Sequence, residues 1–258
     1  MKKLIEGFFH YFFLLKELVK RGIVLKYRRS YLGIIWSLLE PLLTMIVLTI
    51  IFGTLLGRGG KDYPVYILSG RLLYSFFSQG TTNALKSIRA NSGMIKKVYI
   101  PKYLYPLSGV LFNYVIFLIS LIVLVVVGLV LGVRPTVYIF QVFVPLIILF
   151  LLTFGIGMIL STIGVFFRDM EYLWSVATML IMYASAIFYY PETILESNTG
   201  WILRFNPLFA VISNFRSAIF GEPMDLNYTF YSLGFAIVSL IIGIVLFYKK
   251  QDKFILHI

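Results

Sequence analysis

The side chains that could do acid–base, nucleophilic or metal chemistry are few in this 258-residue chain, and they are scattered. Cysteine is absent, which removes disulfides, thiolate metal sites and cysteine nucleophiles. The two histidines, His10 and His257, lie near opposite ends of the chain. The single Gly-Lys pair, Gly60-Lys61, is followed by Asp62 and lacks the upstream glycine of a phosphate-cradling loop, so ATP binding by that route is excluded. No nucleophile elbow, His/Glu metal spacing or pair of intramembrane carboxylates able to relay protons occurs. Three ionisable features remain. Glu40 is the one acidic residue inside a long apolar window, near its start. Arg71 interrupts another such window, at a cost of roughly 2.5–3.5 kcal/mol on insertion scales, so it faces the protein interior, an aqueous path or the outer headgroups. Arg168-Asp169, with Glu171 close behind, forms a very short turn in which Asp169 can accept from the N–H groups that open the next helix. Tyr183, Phe188, Tyr189 and Tyr190 offer ring faces that suit either sugar stacking or an interfacial aromatic belt.

The elements that must hold these residues are membrane helices. Hydrophobic residues make up 60% of the chain and charged residues 13%, far from the globular norm. A span needs about 20 mostly apolar residues. Windows of that kind run at 34–56, 64–84, 107–131, 139–165, 172–190 and 226–248, predicting six spans in an all-α integral membrane protein. An even number puts both termini on one side. With the termini inside, the inner segments hold eight Lys/Arg in 1–33, five in 85–102, one at 168 and three in 249–253, against five in the outer segments. The positive-inside rule therefore predicts cytoplasmic termini and a multi-pass protein of the cytoplasmic (inner) membrane. This placement also accounts for the net charge of +12, because the basic residues sit between apolar segments and form no continuous stripe for nucleic acid. The basic Met1-Lys2-Lys3 start is followed by Glu6, Lys16, Glu17 and Lys20 and lacks a small-residue cleavage site, so the N-terminus is expected to be that of the mature protein.

Three segments outside the spans carry information. Residues 4–29 place Ile5, Phe8, Phe12, Leu15 and Val19 at helical spacing with Lys16, Lys20 and Arg21 off that stripe, predicting an amphipathic helix in the cytoplasmic interface. The basic stretch 86–102 is an inner loop that closes with Pro101 and Pro106. The stretch 190–225 is too long for a turn and too apolar for a solvated loop, predicting two outer re-entrant or interfacial half-helices broken at Pro207. Gly53-x-x-x-Gly57, Gly128-x-x-x-Gly132 and Gly157-x-x-x-Ser161 have the small-residue spacing of close helix contacts.

Five stretches, in order along the chain, carry a family resemblance: KYRRSYLGIIWSLLEP (26–41), MIKKVYIPKYLYPLS (94–108), STIGVFFRD (161–169), AIFYYPE (186–192) and NPLFAVISNFR (206–216). Each is weak alone; together they resemble the ABC-2 type transporter permeases that export O-antigen, capsule or teichoic-acid polymers. The resemblance implies a homodimer of permeases bound to two copies of a separate nucleotide-binding ATPase, which carries the ATP and Mg; no cofactor and no catalytic residue is expected in this chain. The implied partners are membrane lipids and a lipid-linked polysaccharide, which is moved across the membrane. Residues 1–33 become an interface helix bearing Lys16, Lys20, Arg28 and Arg29, residues 34–248 the transmembrane domain and residues 249–258 a cytoplasmic tail. ATPase coupling falls to Arg89, Asn91, Met94, Lys96, Lys97 and Tyr99, with Arg168 and Asp169 in the second inner loop. The translocation path takes Trp36, Arg71, Tyr74, Tyr183, Phe188 and Tyr189, and the outer gate Trp201, Asn206, Pro207 and Arg216. An ABC-2 exporter of drugs or small lipids remains compatible with the spans.

Overall fold

The computed structural model describes residues 2–55, 60–98 and 100–257, with side chains described from residue 11 onward except at 54, 55 and 193. Tyr99, Gly57, the predicted end of the first span and the side chains of Ile5 and Phe8 lie outside the described residues. Helix accounts for 81% of the chain, and no strand occurs among the described residues. The helices are α1 (Lys2–Tyr27), α2 (Trp36–Leu48), α3 (Tyr63–Ala90), α4 (Ser92–Ile95), α5 (Leu104–Leu131), α6 (Phe143–Phe166), α7 (Met170–Tyr183), α8 (Glu192–Leu195), α9 (Trp201–Arg204), α10 (Pro207–Phe220) and α11 (Leu226–Lys250). A turn of 3₁₀ helix precedes α2, a π-helical stretch Thr49–Leu55 continues it, and 3₁₀ segments precede α6 and follow α11.

Four stretches among the described residues are long and apolar enough to cross a membrane: Gly33–Gly53, Leu104–Leu131, Val137–Phe166 and Leu226–Leu256. Two of the predicted windows differ from this pattern. The second extends from 64–84 into the 28-residue helix α3, which runs straight on into the predicted inner loop and carries Lys86 and Arg89 on helix. Its polar content, which includes Arg71, Gln79, Asn83, Lys86 and Arg89, is what lowers its apolar character. The fifth, expected at 172–190, ends as the 14-residue α7 at Tyr183, because the backbone turns back at Ala186 (φ 48°).

Despite its polarity, α3 is the innermost helix. Val65, Ile67, Leu68, Leu73, Ala84 and Ile88 are fully buried against α5, α6 and α10. Small residues set the spacing. A Cβ on Gly157 would lie 2.9 Å from the Ala84 Cβ, and one on Gly164 would lie 2.4 Å from Leu85 Cδ1, so α6 approaches α3 closely at both places. The predicted Gly157 contact is thus an intramolecular one. Gly132 has a different use from the one its spacing predicted: with φ 86° it is the left-handed residue that ends α5. The backbones of α6 and α11 also cross closely: a Cβ on Gly155 would meet the Leu240 amide nitrogen and the Ser239 hydroxyl at 2.6 Å.

Backbone atoms cannot give way as a side-chain tip can. Gly155→Leu should therefore cost about 3 kcal/mol, at the upper end for overpacking, and lower Tm in detergent by on the order of 10 °C. Gly234→Leu is the matched control, since nothing lies within 4 Å of a Cβ added there; thermal unfolding of the two purified variants checks the difference.

Candidate functional site

At its basic end, α3 continues through Asn91, whose amide donates to the Ser87 carbonyl (2.8 Å), into the one-turn helix α4. This turn has an apolar root and a charged crown. Ile95 is buried in a cluster with Ile88, Tyr105, Met158, Val165, Phe247 and Phe254, and Met94 packs against it. Lys96 and Lys97 are exposed, while the Lys102 ammonium donates to the Gln251 carbonyl (2.7 Å) and ties the loop to the C-terminal segment. The second loop joins this assembly through Glu171, in the first turn of α7: its carboxylate accepts from Arg89 and lies 3.3 Å from the Lys86 ammonium. Arg168 and Asp169 are exposed in the turn beside it, and Asp169 makes no side-chain cap. The two loops are therefore joined by Glu171. Its sequence signal was an acidic residue close behind Arg168-Asp169, on the same side as a run of bases.

From there a row of polar contacts climbs the α3–α7 seam. The Trp174 indole donates to the Thr81 hydroxyl (3.0 Å), and the Tyr74 hydroxyl donates to the Thr178 carbonyl (3.0 Å). Arg71 reaches Met182 Sδ at 3.7 Å and lies 5.6 Å from the Tyr74 ring centroid. On its other side Arg71 lines a polar cavity of about 50 Å³ with Lys26, Glu40, Gln79 and Asn113. Arg71 is half-buried between these two sides. Burial, and then the Glu40 carboxylate, push the Tyr27 phenol beside this cavity above its ordinary value. Trp36 is exposed at the start of α2 and lines no part of this cavity. Among the interface-helix residues, Lys16, Lys20, Arg28 and Arg29 are exposed.

At the far end of α3 the geometry is governed by Arg216. Counted from sequence as an outer-loop charge, it is 5% exposed in α10. Its guanidinium donates to the carbonyls of Ala186 (2.9 Å) and Tyr66 (3.0 Å) and lies 3.4 Å from the Tyr66 ring centroid. Gly70 makes room for it, since a Cβ there would sit 2.5 Å from Arg216 Nη2. The Tyr63 and Tyr66 hydroxyls donate to the carbonyls of Phe188 and Tyr189 (both 2.8 Å), so α3, α10 and the 184–190 turn are laced together. Phe188 is buried and stacks on Phe52 at 5.3 Å, and the Tyr189 hydroxyl donates to the Tyr183 carbonyl (2.6 Å). Asn206 caps α10 through the Leu208 amide (3.0 Å) and donates to the Ala184 carbonyl (2.8 Å), with Pro207 in the first turn as the break between α9 and α10. Trp201 is exposed. A pocket of about 340 Å³ opens over Arg216, rimmed by Asp62, Glu192 and Glu222.

Charged hydrogen bonds of this kind are worth roughly 1.5–3 kcal/mol each, and the carbonyls left behind are costly to bury unpaired. Arg216→Leu should lower stability by on the order of 4 kcal/mol by that reckoning. Arg216→Lys should restore little of it, because an ammonium lacks the planar fork. Gly70→Ala should reproduce part of the loss; thermal melts of the three variants decide.

With the geometry described, likeness to known proteins becomes informative. Residues 14–220 match the family of the ABC-2 type transporter. The chain is 31% identical over 246 residues, 94% of each chain, to the O-antigen export system permease protein RfbA of Klebsiella pneumoniae. It is 31% identical over 86% of its length to RfbA of Myxococcus xanthus, covering 85% of that protein. It is 25% identical over 92% of its length to the polysialic acid transport protein KpsM of Escherichia coli, covering 93% of that protein. An all-helical chain with apolar spanning helices that matches this family over most of its length is a member of the ABC-2 type transporter family.

Proposed function

We propose that this chain is the permease subunit of an ATP-driven exporter that moves a lipid-linked polysaccharide across the cytoplasmic membrane. The observation that carries the reading is its likeness, along nearly the whole of both chains, to proteins named for O-antigen export. Relatives named for polysialic acid and capsule polysaccharide extend the same substrate class, and they favour it over drugs or small lipids. In this reading two copies of the chain pair, and each docks one copy of an ATPase that binds ATP and Mg; this chain needs no cofactor and catalyses no reaction.

Six segments cross the bilayer: the four long apolar stretches, α3, and α7 with the turn that follows it. The termini lie in the cytoplasm, α1 lies in the inner interface as an amphipathic helix, and α8 to α10 form a re-entrant cap on the outer side. Positive charge on the inner segments supports this orientation. The α4 turn, with Arg89, Asn91, Met94, Lys96, Lys97 and Tyr99, receives the ATPase stroke together with Arg168 and Asp169. A turn rooted in the core by Ile95 and crowned by two exposed lysines suits that work, because a push on it must displace the cluster beneath. Arg71, Tyr74, Tyr183, Phe188 and Tyr189, with Trp36, border the path. The α10 cap, held by Arg216 and by Asn206 and Pro207 at its start, with Trp201 nearby, controls the exit.

Lys96→Glu with Lys97→Glu should abolish transport-coupled stimulation of the cognate ATPase, by about tenfold or more, while leaving membrane insertion and Tm unchanged; co-reconstitution in vesicles measures both. The whole reading is tested by deleting the gene and analysing surface glycans chemically, which should show loss of a surface polysaccharide. Intact polysaccharide would overturn it.

A further inference from the structure

A second cavity bordered by α1 shares only Asn91 with the roles above. It has a volume of about 610 Å³ and lies where α1 crosses α3 and α5. That volume falls in the ordinary range of small-ligand sites, about 300–1,000 Å³. Its charged lining is Arg21, Lys26 and Lys86, from two helices, and no carboxylate lines it among the described residues. Lys86 shares the Glu171 carboxylate with Arg89, and Lys26 donates to Gln79 (2.9 Å), but Arg21 and Lys26 have no ion pair among the described residues. Tyr105 supplies a second, independent observation. It lines the cavity, is 1% exposed, and its buried hydroxyl has no hydrogen-bond partner. A hydroxyl in that state is costly unless something accepts its proton. Asn83 and Asn91 add neutral donors, while Leu18, Leu25 and Phe112 give the same cavity an apolar side.

Three cations, a buried hydroxyl without a partner and two amides, facing an apolar wall, describe a receptor for a phosphate anion joined to hydrocarbon. We infer that this cavity binds a phosphate-bearing headgroup of net negative charge, with the phosphate oxygens on Arg21, Lys26 and Lys86 and an attached chain along Leu18, Leu25 and Phe112. The inference rests on the proposed topology, which puts this end of α3 at the cytoplasmic membrane surface, where the headgroups of inner-leaflet lipids lie. It does not require that the transported cargo be a polysaccharide.

The test uses the purified full chain in detergent and in nanodiscs, with binding read by native mass spectrometry and by ligand-induced shifts in Tm. The probes are phosphatidic acid, phosphatidylcholine and inorganic pyrophosphate. Phosphatidic acid should bind about tenfold or more tightly than phosphatidylcholine. Arg21→Gln with Lys26→Gln should remove that preference, while Lys16→Gln with Lys20→Gln, the same charge change on the same helix outside the cavity, should keep it. Tyr105→Phe should weaken binding several-fold without lowering the Tm of the unliganded protein, because the hydroxyl it removes makes no bond there. Displacement by pyrophosphate identifies free phosphate as a sufficient ligand, whereas phosphatidic acid binding that resists it identifies the lipid-borne form. Equal binding of the two lipids, or full retention of the preference in Arg21→Gln with Lys26→Gln, overturns the inference. Because nothing is transported in this assay, its failure is separable from loss or retention of surface polysaccharide in the deletion strain.

Discussion

A polar group on a membrane helix has to find its partner within the protein, because hydrocarbon supplies none. In the proposed topology that constraint acts most strongly on α3, which carries tyrosines, threonine, glutamine and two arginines along a helix whose other residues form the centre of the core. The structure meets it by placing side-chain donors and backbone acceptors of α7, α10 and the 184–190 turn along one edge of α3. Tyr63, Tyr66 and Tyr74 each spend their hydroxyl on a carbonyl of that edge, and Arg216 returns the favour by donating to the Tyr66 carbonyl. These bonds help to set the positions of α7 and α10. They matter most for α7, where Thr178 is the one buried residue and Trp174, Ile181 and Met182 pack only half-buried on the core, whereas α10 buries a continuous apolar face.

The opposite side of the core is joined in another way. At the α6–α11 crossing the backbones come close enough that Gly155 and Gly243 admit no side chain, and a Cβ on Gly243 would lie 2.7 Å from the Gly155 carbonyl oxygen. Close backbone packing of this kind has one good register, and any slip loses it. Side-chain hydrogen bonds between membrane helices are weaker, averaging about 0.6 kcal/mol, and can be exchanged for others. The molecule therefore has a rigid side, α6 with α11, and a side whose contacts can be traded one at a time, α3 with α7. A transporter needs both, since a stroke applied to one end moves the other only if part of the body does not yield.

Much of this was legible in the residues. Four of the spanning windows are continuous apolar runs, so hydropathy finds them with ends within a few residues, and Pro207 announced the break before α10 because proline cannot continue a helix but starts one well. Window averages failed where tertiary contacts replaced lipid. They cut α3 short at its charged end, where Lys86 and Arg89 remain helical and share the one Glu171 carboxylate in the first turn of α7. They also lengthened α7 through residues 184–190, whose apolar side chains are buried by packing, with Ala186, Ile187 and Phe188 in the core, and lie outside the helix. Arg216 was hardest to place. An arginine in an apolar stretch reads as a surface charge until the cluster of carbonyls waiting for it is seen, and that cluster comes from residues 30 and 150 positions away.

The basic residues at one end of α3 show how a single composition can serve two ends. Charge bias alone requires only that lysine and arginine gather on one side, and any of them would do. Where they sit is more specific. Lys96 and Lys97 are exposed on a turn anchored by Ile95, Lys86 and Arg89 share one carboxylate with the first turn of α7, and Arg21 and Lys26 face a cavity with no acid in its wall among the described residues. A topological signal needs none of this arrangement. Tyr105 links two of these features, because its ring sits in the cluster beneath the α4 turn while it also lines the cationic cavity. A ligand in the proposed site would therefore touch the same packing that the proposed stroke on Lys96 and Lys97 would have to move. Any effect of occupancy on the turn would then be matched, by reciprocity, by an equal effect of the turn on occupancy.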